Sequence, residues 1–362
     1  CGRCLSDIPK IERGRMSEVT YRAAVIGLGV MGQIADGLGG RHPDWFRPCC
    51  HADAYEDHPR TQLIAGSTRD SQRQERFRSA RQLPVYSDYR EMLEKERPDV
   101  VSIATPATVH AEMVIAAAEA GAKAVWCEKA MAVSLAQCDQ MVTACEASGT
   151  VLAINHQRRW DDRYVKLKEA LDSGVIGQLQ AIALHFGNGR LCRGGSHAFD
   201  LALMFTGEEV AWGMGWLSNP DDFDPGGTGV FETKSGVRIT VDGAIGMHHG
   251  LCWECIGDAG ILKGIDDGFH IQLWTPDERS EASEFGNMSQ RYLPRSYPVR
   301  NTFLNVVDDL VCCLETGAGS QSSGIDGRFA FEMISASHLS HQKNKKAIEF
   351  PIVERDLDIP SN

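Results

Sequence analysis

Between Thr20 and Asn155 the apolar positions fall in short continuous runs, separated by segments with helical periodicity. Tyr21–Leu28, Thr61–Gly66, Asp99–Ala104, Ala124–Cys127 and Val151–Asn155 read as strands. The stretch after Gly32 reads as helix, as do Ser71–Ala80, Tyr89–Glu96, Val109–Ala120 and Ser134–Ala147. Continuous apolar strands alternating with helices predict a parallel sheet covered on both faces. The insertion Asp44–Pro59 reads as loop. Beyond Trp160 the pattern changes. A helix is expected over Tyr164–Ser173, stopped by Gly174. Strands are expected at Leu179–Phe186, Val210–Leu217, Gly229–Glu232, Val237–Gly243, Leu251–Ile256 and His270–Trp274, a string that suggests a largely antiparallel sheet. Helices are expected at Arg193–Met204, Thr302–Thr316 and Asp326–Ser337, and residues 276–301 read as an exposed loop. The expected organisation is an unstructured leader over residues 1–19 (with Met16 a candidate start), a Rossmann domain over 20–155, and a substrate-binding and oligomerisation domain over 156–362. The fold class is therefore α/β in front and α+β behind.

Length and composition narrow the class. At 362 residues the chain is too long for one ordinary core. Its 43% hydrophobic and 24% charged residues are those of a globular protein. A formal net charge of -12 repels phosphate backbones, so no nucleic-acid partner is expected. The longest apolar stretch, Ala111–Ala124, is broken by Glu112, Glu119 and Lys123, so no membrane span is expected either. With no secretory h-region, the 12 cysteines read as reduced thiols and the expected setting is cytoplasmic. Cys1/Cys4 and Cys252/Cys255 have a C-x-x-C spacing, but residues three apart on a strand face opposite ways, so no metal site is expected.

The sharpest motif is Gly27-Leu28-Gly29-Val30-Met31-Gly32, a G-x-G-x-x-G that follows a predicted strand and opens a predicted helix. The first glycine permits the tight turn, the second lets backbone approach a pyrophosphate, and the third allows close packing. A helix N-terminus beyond it favours phosphate. These residues predict a bound dinucleotide, NAD or NADP. The second strand ends Ala65-Gly66-Ser67-Thr68-Arg69-Asp70. If Thr68 reads the ribose, then Ser67, Thr68 and Arg69 suit a 2′-phosphate. If Asp70 reads it, the cofactor is NAD. The first alternative is slightly preferred.

The whole set of motifs resembles the Gfo/Idh/MocA oxidoreductases. The likeness rests on G-L-G-V-M-G, I-A-T-P-A-T-V-H (103–110), W-C-E-K-A (126–130), I-N-H-Q-R-R-W (154–160), D-S-G-V-I-G (172–177), G-G-S-H-A-F-D (194–200) and S-G-I-D-G-R-F-A (323–330), in that order. The resemblance implies a Rossmann domain followed by an α/β domain with a large open sheet that builds dimers or tetramers. It implies oxidation or reduction of a secondary alcohol or ketone on a sugar, cyclitol or related polyol. It also places Thr105, Pro106, His110, Glu128, Lys129 and Asn155 at the cofactor, with Lys129 reaching the reacting oxygen and His197 carrying the proton. The chemistry agrees, since a neutral imidazole can accept a hydroxyl proton and an ammonium can stabilise an alkoxide. Arg193, Arg159, Trp160 and Asp200 are the candidate substrate contacts.

Two positions depart from the family pattern. Where Glu-Lys-Pro is usual, with a Lys–Pro bond that is often cis, this chain has Ala130. Where many members carry an aspartate four residues before the histidine, it has Arg193, which could instead clamp an anionic substrate. The lost aspartate keeps open an alternative found among relatives, NAD-dependent glycoside cleavage by transient oxidation with no net redox change.

Overall fold

The structure is a computed structural model and describes residues 19–33, 48–187, 189–244, 250–277, 287–293, 299–359 and 361. The expected leader, the helix beyond Gln33, Cys1 and Cys4 lie outside the described residues.

The first sheet holds β1 (Tyr21–Ile26), β2 (Thr61–Ser67), β3 (Val85–Tyr86), β4 (Val100–Ile103), β5 (Ala124–Cys127) and β6 (Val151–Ile154). Its six strands run in the order β3-β2-β1-β4-β5-β6, all parallel. The order reverses between β1 and β4, and open sheets of this kind bind ligands at the carboxyl ends of the strands flanking such a point. Both faces are buried, as the unbroken apolar runs require. Ala23 and Val25 join one cluster with Leu28, Tyr55, Phe77 and Trp126, while Ala24 and Ile26 join another with Val101, Val125 and Met141.

The covering helices are α1 (His51–Asp57), α2 (Ser71–Arg81), α3 (Tyr89–Glu96), α4 (His110–Glu119) and α5 (Leu135–Ser148). Local chemistry sets their starts. Asp70, Asp88 and Ser134 each accept a backbone N–H from the first turn of the helix that follows. The expectation of loop over Asp44–Pro59 is corrected at α1, whose few polar residues conceal a buried side made of His51, Ala52, Ala54 and Tyr55. The two-residue β3 carries too short a pattern to have been foreseen.

The second sheet has nine strands in the order β14-β13-β12-β11-β7-β10-β9-β8-β15. They are β7 (Leu179–His185), β8 (Val210–Ser218), β9 (Gly226–Thr233), β10 (Arg238–Asp242), β11 (Cys252–Gly257), β12 (Ile261–Ile265), β13 (His270–Pro276), β14 (Met288–Arg291) and β15 (Ile348–Glu349). Among the described residues, only β7 and β10 of this sheet pair in parallel. The strands β12 and β15 were not foreseen, and β14 corrects the expectation of loop throughout 276–301. Its sequence, Met288-Ser-Gln-Arg291, is a polar edge strand with no apolar alternation to read. Helices α6 (Asp162–Asp172), α7 (Ser196–Thr206), α8 (Thr302–Thr316) and α9 (Gly324–Gln342) are the remaining helices among the described residues.

Helices α7 and α9 cover one face of the second sheet, so that Phe199, Phe231, Met333 and Ile334 share a core with Val101 and Val125 of the first. Helix α8 returns to the first sheet, packing Phe303, Val306, Val307 and Leu310 against Trp126 and Tyr55. On the second sheet's other face one register row runs Trp212, Glu232, Arg238, Ala181, Ile256, Ile261 and Trp274. None of these seven is buried, so a broad, partly apolar face stays open in the single chain.

Candidate active site

The three glycines of the phosphate loop meet different demands. Gly27 has φ +94, and a Cβ there would lie 2.4 Å from the Ala104 carbonyl oxygen. A Cβ on Gly32 would lie 1.8 Å from the Gly27 carbonyl oxygen. At Gly29 the nearest atom is the Arg73 guanidinium at 3.5 Å, so a Cβ there would project into the open cradle rather than into protein. That is the space a pyrophosphate lying on backbone needs. Leu28 is fully buried and contributes only backbone, whereas Val30 is exposed and Met31 half-buried. The loop opens onto a cavity of 610 Å³ lined by Gly27, Ser67, Thr68, Arg69, Thr105 and Pro106. The ends of β1, β2 and β4 meet there, and the residues present fit a dinucleotide. Asp70 also lines the cavity, but its carboxylate accepts the Gln72 and Arg73 N–H groups at 2.9 and 3.1 Å and so caps α2.

Lys129 emerges from the carboxyl end of β5, and the Lys129–Ala130 bond is cis. The Lys129 ammonium donates to the Arg193 carbonyl at 2.9 Å. That carbonyl belongs to a single π turn, Leu191–Gly195, which runs directly into α7 and to His197. A strand end of the first sheet and a helix start over the second thus meet at one point. Burial lowers the Lys129 pKa, Glu128 opposes the shift, and Arg193 adds to it. Burial, then the charges of Lys129 and Arg158, push His197 well below its usual value, so its ring is neutral near pH 7. Its Nδ1 is buried and has no hydrogen-bond partner among the described residues.

Several expected contacts prove to be supports. Glu128 and Asn155, expected at the cofactor, are 6% and 1% exposed, and Asn155 donates to Glu128 at 2.6 Å. His51 also lies against Glu128 at 3.2 Å and meets Ser102 at 2.8 Å, and Tyr55 meets the same serine hydroxyl at 2.7 Å. Burial raises the Glu128 pKa, but His51, Lys129 and Asn155 outweigh it and hold it at about 2. This carboxylate is therefore a fixed negative charge beneath Lys129. His110 is fully buried, with its ring between the Thr105 carbonyl at 2.8 Å and the Ala130 carbonyl at 3.0 Å. It fastens two strand ends together and does not line the cavity.

The expected substrate contacts need similar correction. Trp160 is 1% exposed and donates its indole N–H to Asp309 at 2.9 Å, which leaves no surface for a ligand. Asp200 is 1% exposed and accepts from Arg159 at 2.8 Å. Arg159 also pairs with Asp326, so its guanidinium is occupied on the far side of this support. The Arg193 side chain is exposed, and the contact the structure gives to Lys129 comes from its carbonyl.

Other residues take up the space. His156 lies 3.3 Å from Asp200, with its ring centroid 5.9 Å from that of His197. Arg158 donates to Asp267 at 2.9 Å, and the Tyr164 hydroxyl donates to the same oxygen at 2.9 Å. His156 and Arg158 belong to the I-N-H-Q-R-R-W run but are not among the expected site residues. Nothing local pointed to Asp267, which sits at φ +54 in the turn joining β12 to β13. Among the described residues no three His, Cys, Asp or Glu side chains are grouped to hold a metal. Cys255 is buried and Cys252 faces the other way on β11; His248 and His249 lie outside the described residues. No helix among the described residues is long and apolar enough to cross a membrane.

Residues 21–156 match the model of the Gfo/Idh/MocA oxidoreductase family, described as an NAD-binding Rossmann fold. The match covers the Rossmann part of the chain, over which it resembles the Gfo/Idh/MocA oxidoreductases. The chain is similar to D-apiose dehydrogenase of Paraburkholderia graminis, 25% identical over 82% of this chain and 85% of the relative. It is also similar to myo-inositol 2-dehydrogenase of Thermotoga maritima, 29% identical over 72% of this chain and 83% of the relative. The solved structure of an NAD-binding oxidoreductase from Klebsiella pneumoniae shares the fold, with a TM-score of 0.75 at 20% identity, covering 91% of this chain and 99% of that one. The protein thus has a cavity beside the phosphate loop at the ends of β1, β2 and β4 and, at the end of β5, a lysine moored on the turn that leads to His197.

Proposed function

We propose that the protein is an NADP-preferring dehydrogenase or ketoreductase for a secondary alcohol or ketone on a sugar, cyclitol or related polyol. Lys129 and His197 handle the proton. The observation that carries this reading is the mooring of Lys129 from β5 on the turn that opens into His197. When bound, the nicotinamide supplies a hydride acceptor or donor. In the oxidative direction the neutral His197 imidazole takes the hydroxyl proton, and the Lys129 ammonium stabilises the oxygen as charge builds on it. His156, held beside Asp200, backs the His197 ring. The sugar and cyclitol dehydrogenases among the relatives support the substrate class.

The NADP preference is supported by Ser67, Thr68, Arg69 and Arg73 in the cavity wall and by the use of Asp70 as a helix cap. A role for the exposed Arg193 guanidinium in binding an anionic substrate belongs to the same reading. The open face of the second sheet suits a homodimer or homotetramer, because partly apolar faces of this extent are usually covered. The free cysteines, most of them buried among the described residues, suit a cytoplasmic setting.

The decisive experiment follows nicotinamide absorbance with NADP⁺ and NAD⁺ across a panel of polyols and aldoses, including myo-inositol and D-apiose. Net formation of reduced cofactor is expected. Release of sugar from an aryl glycoside without any net reduced cofactor would replace this reading with redox-assisted glycoside cleavage.

A further inference from the structure

Asp224 belongs to the loop between β8 and β9, far in sequence from any motif, and it is 6% exposed. Its two oxygens are both committed. Oδ1 accepts the Cys192 N–H at 2.9 Å and Oδ2 accepts the Arg193 N–H at 3.0 Å. One carboxylate therefore clamps two successive amides of the π turn whose Arg193 carbonyl receives the Lys129 ammonium at 2.9 Å. The adjacent chain repeats the tie, since the Leu191 N–H donates to the Pro225 carbonyl at 3.1 Å. A Cβ on Gly226 would lie 2.2 Å from the Gly189 carbonyl oxygen, so the loop is pressed onto the segment leading into the turn. A π turn is an irregular conformation that local helix hydrogen bonding does not select by itself, and here a buried anion from another element holds it.

We propose that Asp224 is a positioning residue for Lys129: it fixes the Arg193 carbonyl on which the ammonium rests. The inference rests on the assignment of Lys129 to the reaction. Five groups set the charge around Lys129. Glu128 precedes it in the chain, Arg193 and Asp224 belong to the turn and its clamp, and Arg158 and His197 are near enough to interact with its charge or be influenced by it. Asp224 and Glu128 favour the ammonium, while Arg193 and Arg158 disfavour it. Removing the Asp224 charge removes one of two anions from this set. The lysine must then lose its proton at lower pH.

The test needs no substrate. Lys129 is acetylated with acetic anhydride across a pH series, in the full-length wild type and in Asp224→Asn and Asp224→Glu, and its modification is read by peptide mass spectrometry. In Asp224→Asn the midpoint of reactivity should fall by about one pH unit, the usual effect of one nearby opposite charge. In Asp224→Glu, which keeps the charge but displaces the clamp, the midpoint should stay near wild type while labelling at each pH rises. On a polyol that gives turnover, Asp224→Asn should lower kcat roughly 10- to 100-fold with KM nearly kept, as expected when a reacting group is misplaced by about 1 Å. An unchanged midpoint in folded Asp224→Asn overturns the proposal, as does an equal fall of the midpoint in Asp224→Glu. Full turnover in Lys129→Ala would instead overturn the assignment of Lys129 to catalysis, whatever the labelling shows.

Discussion

The phosphate loop offers a prediction in which two neighbouring glycines should fail in opposite ways. At Gly32 the added Cβ of alanine would sit 1.8 Å from the Gly27 carbonyl oxygen, a backbone atom that no rotamer change can move. The loop must open by more than 1 Å, and overpacking of this kind costs about 1–3 kcal/mol or more. At Gly29 the nearest neighbour is the tip of a flexible arginine at 3.5 Å, so the folded chain tolerates a side chain there. The cost of Gly29→Val appears only when a pyrophosphate must approach the backbone. Loss of one hydrogen bond to a charged group is worth about 1.5–3 kcal/mol, which corresponds to roughly 10- to 100-fold in affinity. Thermal melting and calorimetric titration with NADP⁺ separate the two effects. Gly29→Val should melt like wild type and bind weakly, and Gly32→Ala should melt lower. Wild-type affinity in Gly29→Val, or melting as low as that of Gly32→Ala, would refute the division of labour.

Four further outcomes are expected. Lys129→Ala and His197→Ala should each lower kcat about 10²–10⁴-fold with cofactor binding nearly kept, as for loss of a general acid or base; wild-type turnover in His197→Ala would move the proton carrier to Lys129 or Tyr164. Arg69→Ala and Arg73→Ala should weaken NADP⁺ roughly tenfold while barely changing NAD⁺, and equal losses for both cofactors would show that the arginines do not read the 2′-position. Light scattering should give at least a dimer mass, and Ile256→Glu, on the open face, should shift it toward monomer; a monomeric wild type would leave that face without its partner. The oxidative pH profile should show no acid limb near pH 6.5. His197 is held well below that value by burial and neighbouring cations, so it is already the neutral base there, and an alkaline limb should fall below 10.5 because burial lowers Lys129; a single acid limb centred at 6.5 and abolished by His197→Ala would contradict this.

What the sequence determined by itself was what local pattern encodes. Apolar runs doubly buried between helices gave the parallel sheet, Asp70, Asp88 and Ser134 capped the helices they precede, and the three glycines marked the cradle. Lys129 and His197 are expected in the site through motif resemblance, and the structure brings their elements together. The tertiary structure decided which polar residues face the cleft and which support it. Glu128, Asn155, His110, Trp160 and Asp200 stand in the right motifs, yet their side chains turn into buried networks whose partners, such as His51 and Asp309, come from distant segments. Asp224 reaches the turn on which Lys129 rests, and Asp267 reaches the Arg158 guanidinium, from loops between strands of the second sheet. Local sequence carries periodicity and capping because these act within a few residues. It does not carry the choice of partner for a buried polar group, because that group's desolvation is offset only by whatever atom the finished fold places against it.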